Sequence, residues 1–248
     1  MFPNVRVRSS PAVRLFAFPH AGGSASTYQK WRGLLPDFVE LRPAQLPGRE
    51  LRFSETPVTD WREIVACSAT EIAALGQHPI VLFGHSMGSL LAFEVGRTLR
   101  RDFGIEIAGL VVSGYCAPQL KPRSPSLRHL DGRELLQRLS ELYGGVSSDV
   151  LAEAELVELM ARVVKADLTL VETYEYVDDV PLTCPILAIG GKADPWVDSD
   201  ELGLWCRQTT GRFSSTELFG DHFYLRDAMM ERVLLTRVVQ MCETARRR

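Results

Sequence analysis

Residues 80–91, IVLFGHSMGSLL, set the strongest limit on what this chain can fold into. The short apolar run Ile80 to Phe83 predicts a buried strand, and the spacing of Leu90, Leu91, Val95 and Leu99 predicts a helix. Only the G-x-S-x-G segment Gly84-His85-Ser86-Met87-Gly88 separates them, so the chain must reverse within a few residues. Such a turn strains the backbone at Ser86 and places glycines at 84 and 88, where side chains would strike the neighbouring strand and helix. Ser86 is thereby raised above the sheet at a helix N-terminus, where unpaired amides favour negative charge. His85 is expected to pack beside the turn and to take no part in proton transfer.

The same alternation runs along most of the chain. Apolar runs at Val13 to Phe18, Val39 to Leu41, Ile80 to Phe83, Leu110 to Ser113, Ile186 to Ile189 and Thr216 to Phe219 read as buried strands. Between them lie helical spacings such as Trp61, Ile64, Val65, Ala69, Ile72 and Leu75, and a last helix is predicted from about Arg226 to Glu243. Strands alternating with helices imply an α/β fold, with a mostly parallel central sheet and helices on both faces. From about residue 118 to 176 the alternation stops. Pro-rich polar sequence there gives way to helical patterns at Asp131 to Tyr143 and at Val150 to about Tyr174, the latter carrying Leu156, Leu159, Met160, Val163 and Val164. This segment is expected to be a helical lid inserted into a single domain spanning 1–248, with Ala117 to Ser126 and the Tyr143 to Ser148 turn letting it move; the alternative is a rigid extra helical layer.

Composition narrows the setting. At 248 residues, 46% hydrophobic and 24% charged, the chain is long enough for a well-buried core and lies near the soluble globular average. A net charge of −3 gives no drive toward nucleic acid, and Arg246 to Arg248 reads as a solvated tail. The longest apolar stretch, Pro79 to Val95, is interrupted by His85, Ser86 and Glu94, and the N-terminal residues lack a continuous apolar segment. Neither membrane spanning nor secretion is therefore expected. The five scattered cysteines, Cys67, Cys116, Cys184, Cys206 and Cys242, form no C-x-x-C pair. Reduced thiols in a cytoplasmic protein are expected, with no metal site and no cofactor.

A serine hydroxyl is a weak nucleophile at neutral pH. It needs an imidazole to take its proton and a carboxylate to orient that imidazole. In hydrolases built on this strand-turn-helix element the chain order is serine, acid, histidine. The segment Ile186 to Pro195, ILAIGGKADP, puts Asp194 just past a late strand, so Asp194 is the expected acid. Asp198 and Asp200 lie farther on and are expected to cap a helix starting near Glu201. His222 follows the last strand-like run and is the only histidine beyond Asp194, which makes it the expected base. Asp221 is adjacent to it, and adjacent side chains diverge; His78 and His129 read as surface or packing residues. The turn Pro19-His20-Ala21-Gly22-Gly23 is expected to supply the Ala21 N–H to an oxyanion hole completed by the Met87 N–H, with His20 orienting the loop. The whole reads as an alpha/beta-hydrolase fold with Ser86, Asp194 and His222 as catalytic residues.

Five segments together resemble the type II thioesterases that accompany polyketide synthases and nonribosomal peptide synthetases: Pro19 to Gly23, Gln45 to Arg49, Gly84 to Gly88, Gly190 to Asp194 and Gly220 to Phe223. The resemblance spans nearly the whole chain. It implies hydrolysis of acyl thioesters from the phosphopantetheine arm of acyl- or peptidyl-carrier proteins, chiefly removal of short or aberrant acyl units, with a helical lid over the site. Asp221 departs from the family pattern, standing where a second glycine is common. Arg49 and Arg52 invite contact with a pantetheine phosphate or an acidic carrier protein. Offset by Glu50 and Glu55, they are expected instead to lie in an exposed, solvated loop. Serine chemistry alone leaves open a carboxylester hydrolase or acyltransferase with the same residues, and a catalytically silent fold that binds a ligand or carrier protein under its lid.

Overall fold

A computed structural model of the chain describes residues 1–3, 11–76, 78–144, 146 and 148–247. Among these, strands β1 (Val13–Phe18), β2 (Val39–Pro43), β3 (Ile80–His85), β4 (Gly109–Ser113), β5 (Ile186–Gly191) and β6 (Phe213–Leu218) form one sheet. Its order is β2-β1-β3-β4-β5-β6 and every pairing is parallel. The helices are α1 (Trp31–Leu34), α2 (Trp61–Ala74), α3 (Met87–Phe103), α4 (Gly132–Tyr143), α5 (Ser148–Ala152), α6 (Ala154–Glu172), α7 (Ser199–Gly203) and α8 (Ala228–Arg246).

Parallel strands are covered on both sides, so successive residues of β1 feed opposite cores. Phe16 and Phe18 pack with Ile64 and Ile72 of α2 and Leu91 and Leu99 of α3. Val13, Leu15 and Ala17 pack with Trp31 of α1 and Leu234 and Val238 of α8. The expected α/β architecture is the observed one. Because all strands run the same way, the turns that follow them gather at a single edge of the sheet, where sites of such folds form.

All six predicted strands are present. The strand β6 begins three residues before its apolar signal, because it is an edge strand whose Ser214 and Ser215 remain exposed. The helix α8 starts at Ala228, where the Asp227 side chain accepts from the amides of Met229 and Met230. Helices α4 to α6 lie between β4 and β5, where the helical insertion is expected. The helix predicted from Val150 to Tyr174 is broken at Glu153, which is extended (φ −97°, ψ 110°) between α5 and α6. Leu151 and Val157 both pack into a small core of the insertion with Leu135, Leu136 and Ala161. Six residues apart, they would point to different faces of an unbroken helix, and the break turns both inward. On α6 the inward face is Val157, Ala161, Val163 and Val164, whereas Leu156, Leu159 and Met160 are exposed. Of the expected bend at Tyr143 to Ser148, Gly145 and Ser147 lie outside the described residues, as does Arg248 of the basic tail. Among the described residues no helix is long and apolar enough to cross a membrane.

Candidate active site

The strand β3 ends at His85 and α3 begins at Met87, so Ser86 alone turns the chain, at φ 53° and ψ −122°. A non-glycine residue is held there only by its surroundings. The flanking glycines show why the turn is possible. A Cβ on Gly84 would lie 1.9 Å from the Gly88 carbonyl oxygen, and one on Gly88 would lie 2.1 Å from that of Phe18. The Ser86 amide donates to the Ser113 carbonyl at 2.7 Å, tying the turn to β4.

The turns after β3, β5 and β6 bring Ser86, Asp194 and His222 together. His222 Nδ1 lies 2.8 Å from Asp194 Oδ2, and its Nε2 lies 3.0 Å from Ser86 Oγ. An ionised carboxylate only accepts, so Nδ1 carries the hydrogen and the Nε2 lone pair faces the serine hydroxyl. The Trp196 amide donates to the other oxygen of Asp194 at 3.0 Å and fixes the carboxylate. Asp194 and His222 are 8% and 6% exposed, so water screens their interaction little.

The competing residues are engaged elsewhere. Asp198 caps α7 by accepting from the Glu201 amide at 2.9 Å, while Asp200 lies within that helix. Asp221 accepts from the Phe223 amide at 2.8 Å. His129 is exposed in the insertion, and His78 lies just ahead of β3. His85 is fully buried, with Nδ1 2.8 Å from Ser113 Oγ, and burial pushes its pKa well below the ordinary imidazole value. His20 bonds through Nδ1 to the Ala21 carbonyl at 3.0 Å and sets its ring edgewise to Phe223. Burial lowers its pKa as well, partly opposed by that bond to Ala21.

Among the described residues, no oxygen accepts from the Ala21 or Met87 amide, the two expected oxyanion donors. The next two amides of the loop are taken: Gly22 N–H donates to Asp167 Oδ2 at 2.7 Å and Gly23 N–H to the His20 carbonyl at 2.9 Å. Asp167 comes from α6 and was not singled out in the sequence. The available signal was an acid on the apolar face formed by Val163, Val164, Ala166 and Leu170.

Arg49 departs from expectation. It does not lie in a solvated loop but is 7% exposed, its Nη1 and Nη2 donating to the two oxygens of Asp167 at 2.6 and 2.7 Å. Glu50, expected to offset it, instead accepts from Ser24 Oγ at 2.6 Å. Charge offset by neighbours in sequence holds only for Arg52, which pairs with Glu55 at 2.6 Å.

Above Ser86 and His222 lies a cavity of about 290 Å³, walled on the insertion side by Leu136, Leu139, Met160 and Val164. The Tyr143 ring stands 5.2 Å from that of His222. Cys116 also borders the cavity, but burial pushes its pKa up to about 12, so it remains a thiol rather than a nucleophilic thiolate. No group of three or more His, Cys, Asp or Glu among the described residues is arranged to hold a metal ion.

A parallel sheet with a serine on a strained turn after β3, an acid after β5 and a histidine after β6 is the arrangement of an alpha/beta hydrolase. More particularly, the chain belongs to the thioesterase family: the thioesterase-domain family model matches residues 13–245. The gramicidin S biosynthesis protein GrsT of Aneurinibacillus migulanus is 38% identical over 232 residues, covering 94% of this chain and 90% of that protein. Among solved structures, the RedJ thioesterase from the prodiginine pathway of Streptomyces coelicolor is similar at a TM-score of 0.85 and 34% identity, over 97% of this chain and 92% of that one. The type II thioesterase BorB from the borrelidin biosynthetic cluster is similar at 0.84 and 32%, over 95% and 96%.

Proposed function

We propose that this thioesterase hydrolyses acyl thioesters from the phosphopantetheine arm of acyl- or peptidyl-carrier proteins, in the cytoplasm, and so clears short or aberrant acyl units from a polyketide or nonribosomal peptide assembly line. The observation that carries the reading is the unbroken path from Asp194 Oδ2 through His222 to Ser86 Oγ, opening into an acyl-sized cavity. The pathways of GrsT, RedJ and BorB support the choice of substrate.

In the first half-reaction Ser86 Oγ attacks the thioester carbonyl carbon while His222 Nε2 takes the hydroxyl proton. Asp194 holds the imidazolium through Nδ1–H. The carbonyl oxygen becomes an oxyanion and accepts from the Ala21 and Met87 amides. Collapse breaks the carbon–sulfur bond, and the proton on His222 passes to the departing thiolate, leaving an acyl group on Ser86. Water then attacks this ester and gives a proton to His222. The second collapse returns that proton to Ser86 Oγ and frees the acid.

Ser86→Ala tests the scheme with acyl groups of several lengths presented on a carrier protein, on coenzyme A and as p-nitrophenyl esters. The expected result is preference for the carrier thioester in the wild type and loss of several orders of magnitude in turnover in a folded variant. Full activity of the variant overturns the serine mechanism. Preference for oxygen esters overturns the substrate, and absence of both turnover and fluorophosphonate labelling marks a silent binder.

A further inference from the structure

We infer that Asp167 is a positioning residue, which grips the loop after β1 from α6 so that the Ala21 N–H stays aimed at the carbonyl oxygen above Ser86. The inference rests on the serine mechanism proposed above and adds a group that does not touch the substrate.

The hydrogen bonds of the loop leave Ala21 little freedom. The peptide that carries the Ala21 N–H has its carbonyl end, His20 O, pinned by the Gly23 amide at 2.9 Å. The following peptide is pinned at both ends: its carbonyl, Ala21 O, bonds to His20 Nδ1 at 3.0 Å, and its amide, Gly22 N–H, donates to Asp167 Oδ2 at 2.7 Å. Arg49 closes the grip from the other side, donating through Nη1 to Gly23 O at 2.9 Å as well as to Asp167. Gly22 has φ +77°, and a Cβ there would come within 3.1 Å of Val164 Cγ2, so the loop lies close against α6.

The bond also explains which amide is left for substrate. Asp167 engages Gly22 N–H and the His20 carbonyl engages Gly23 N–H, so of the three consecutive amides from Ala21 to Gly23 it is the Ala21 N–H that remains for substrate. An isolated carboxylate bonded to the amide next to that of Ala21 would repel a developing oxyanion. The bidentate Arg49 offsets that charge, and with Asp167 only 1% exposed the pair persists only because each satisfies the other.

The test compares the wild type, Asp167→Leu and the paired Arg49→Met/Asp167→Leu, in which apolar side chains of similar volume replace the ion pair, so that no acceptor remains for Gly22 N–H and no lone buried charge is left to unfold the chain. Active sites are counted by fluorophosphonate labelling, and kcat, KM and the inhibition constant of an acyl trifluoromethyl ketone are measured per site. The ketone adds the serine oxygen to its carbonyl carbon, and the resulting oxyanion occupies the same hole. Loss of one oxyanion donor lowers turnover by about a hundredfold to a thousandfold, and misplacing a group by about an ångström can cost up to about a hundredfold, so a misaimed donor should cost about tenfold to a hundredfold. The expected result is a kcat reduced by that factor with KM within about twofold, and a ketone inhibition constant raised in parallel, as transition-state loss requires. Wild-type kcat and inhibition per site in either variant overturns the inference, as does a fall in kcat with the ketone bound as before. A wild-type protein that the ketone fails to inhibit overturns the serine mechanism itself, and this inference with it.

Discussion

The ring of His85 lies 5.4 Å from that of His222, tilted by 41°, and the two imidazoles bond to different partners: His222 to Asp194 and Ser86, His85 to Ser113. Among the described residues His85 Nε2 makes no well-formed hydrogen bond, and burial outweighs the help that the nearby His222 backbone gives a proton there. A proton there would place a second positive charge behind the ring proposed to take one from Ser86.

His85 therefore stays neutral when folded, and this gives stability a pH dependence of known sign. In the unfolded chain an imidazole gains its proton below about 6.5, whereas the buried ring resists to lower pH. In that window the unfolded state binds more protons, so stability falls as pH falls, by about 1.4 kcal/mol per pH unit for one such group. Urea denaturation from about pH 7 to about pH 5 should show this decline in the wild type and a flatter one in His85→Gln. Parallel declines would mean that His85 does not stay neutral.

Asp194→Asn keeps the shape of the acid but replaces a pure acceptor by a group that can donate, favouring the wrong tautomer of His222. By the behaviour of comparable triads, turnover should drop by about 10⁴-fold, with the melting temperature little changed. Asp198→Asn, which touches only the α7 cap and the exposed Arg123, should leave turnover near wild type. A reversed order of effects would move the acid to Asp198.

The glycines on either side of Ser86 predict a failure of folding. Gly84→Ala must place a methyl 1.9 Å from the Gly88 carbonyl oxygen, a backbone atom that cannot step aside. Soluble, cooperatively melting protein should be lost. Gly33→Ala in α1 meets nothing within 4 Å and should melt at or slightly above the wild type, since alanine favours a helix.

The cavity wall predicts a change of acyl preference. Leu139 borders the cavity from α4 without belonging to the fully buried core of the insertion. Leu139→Trp should fill part of the 290 Å³ and lower kcat/KM for long acyl chains while sparing short ones. A uniform decrease across chain lengths would mean that acyl groups do not reach this wall.

The candidate site was legible where chain geometry alone places its residues. Gly84 and Gly88 around Ser86, Asp194 just past a strand and His222 after the last strand each occupy a position that the alternation of strands and helices fixes. What the sequence concealed were contacts between segments far apart. Arg49 reads as solvated because its neighbours are Glu50 and Glu55, yet its partner lies 118 residues away on α6. The break at Glu153 was hidden for a related reason. Its flanking residues suit a continuous helix, and only the shared core of the insertion shows that Leu151 and Val157 must both turn inward. At the start of the edge strand β6 the apolar pattern was missing, since Ser214 and Ser215 there remain exposed.

The groups proposed to make and break bonds sit on turns at the rim of the sheet, whereas Leu136, Leu139, Met160 and Val164 of the cavity wall come from the segment between β4 and β5. Diet and reactivity are thus inscribed on largely separate lengths of polypeptide, which meet at Asp167 of α6. Exchanging wall residues while sparing Asp167 should retune which acyl groups fit without disturbing the proposed machinery.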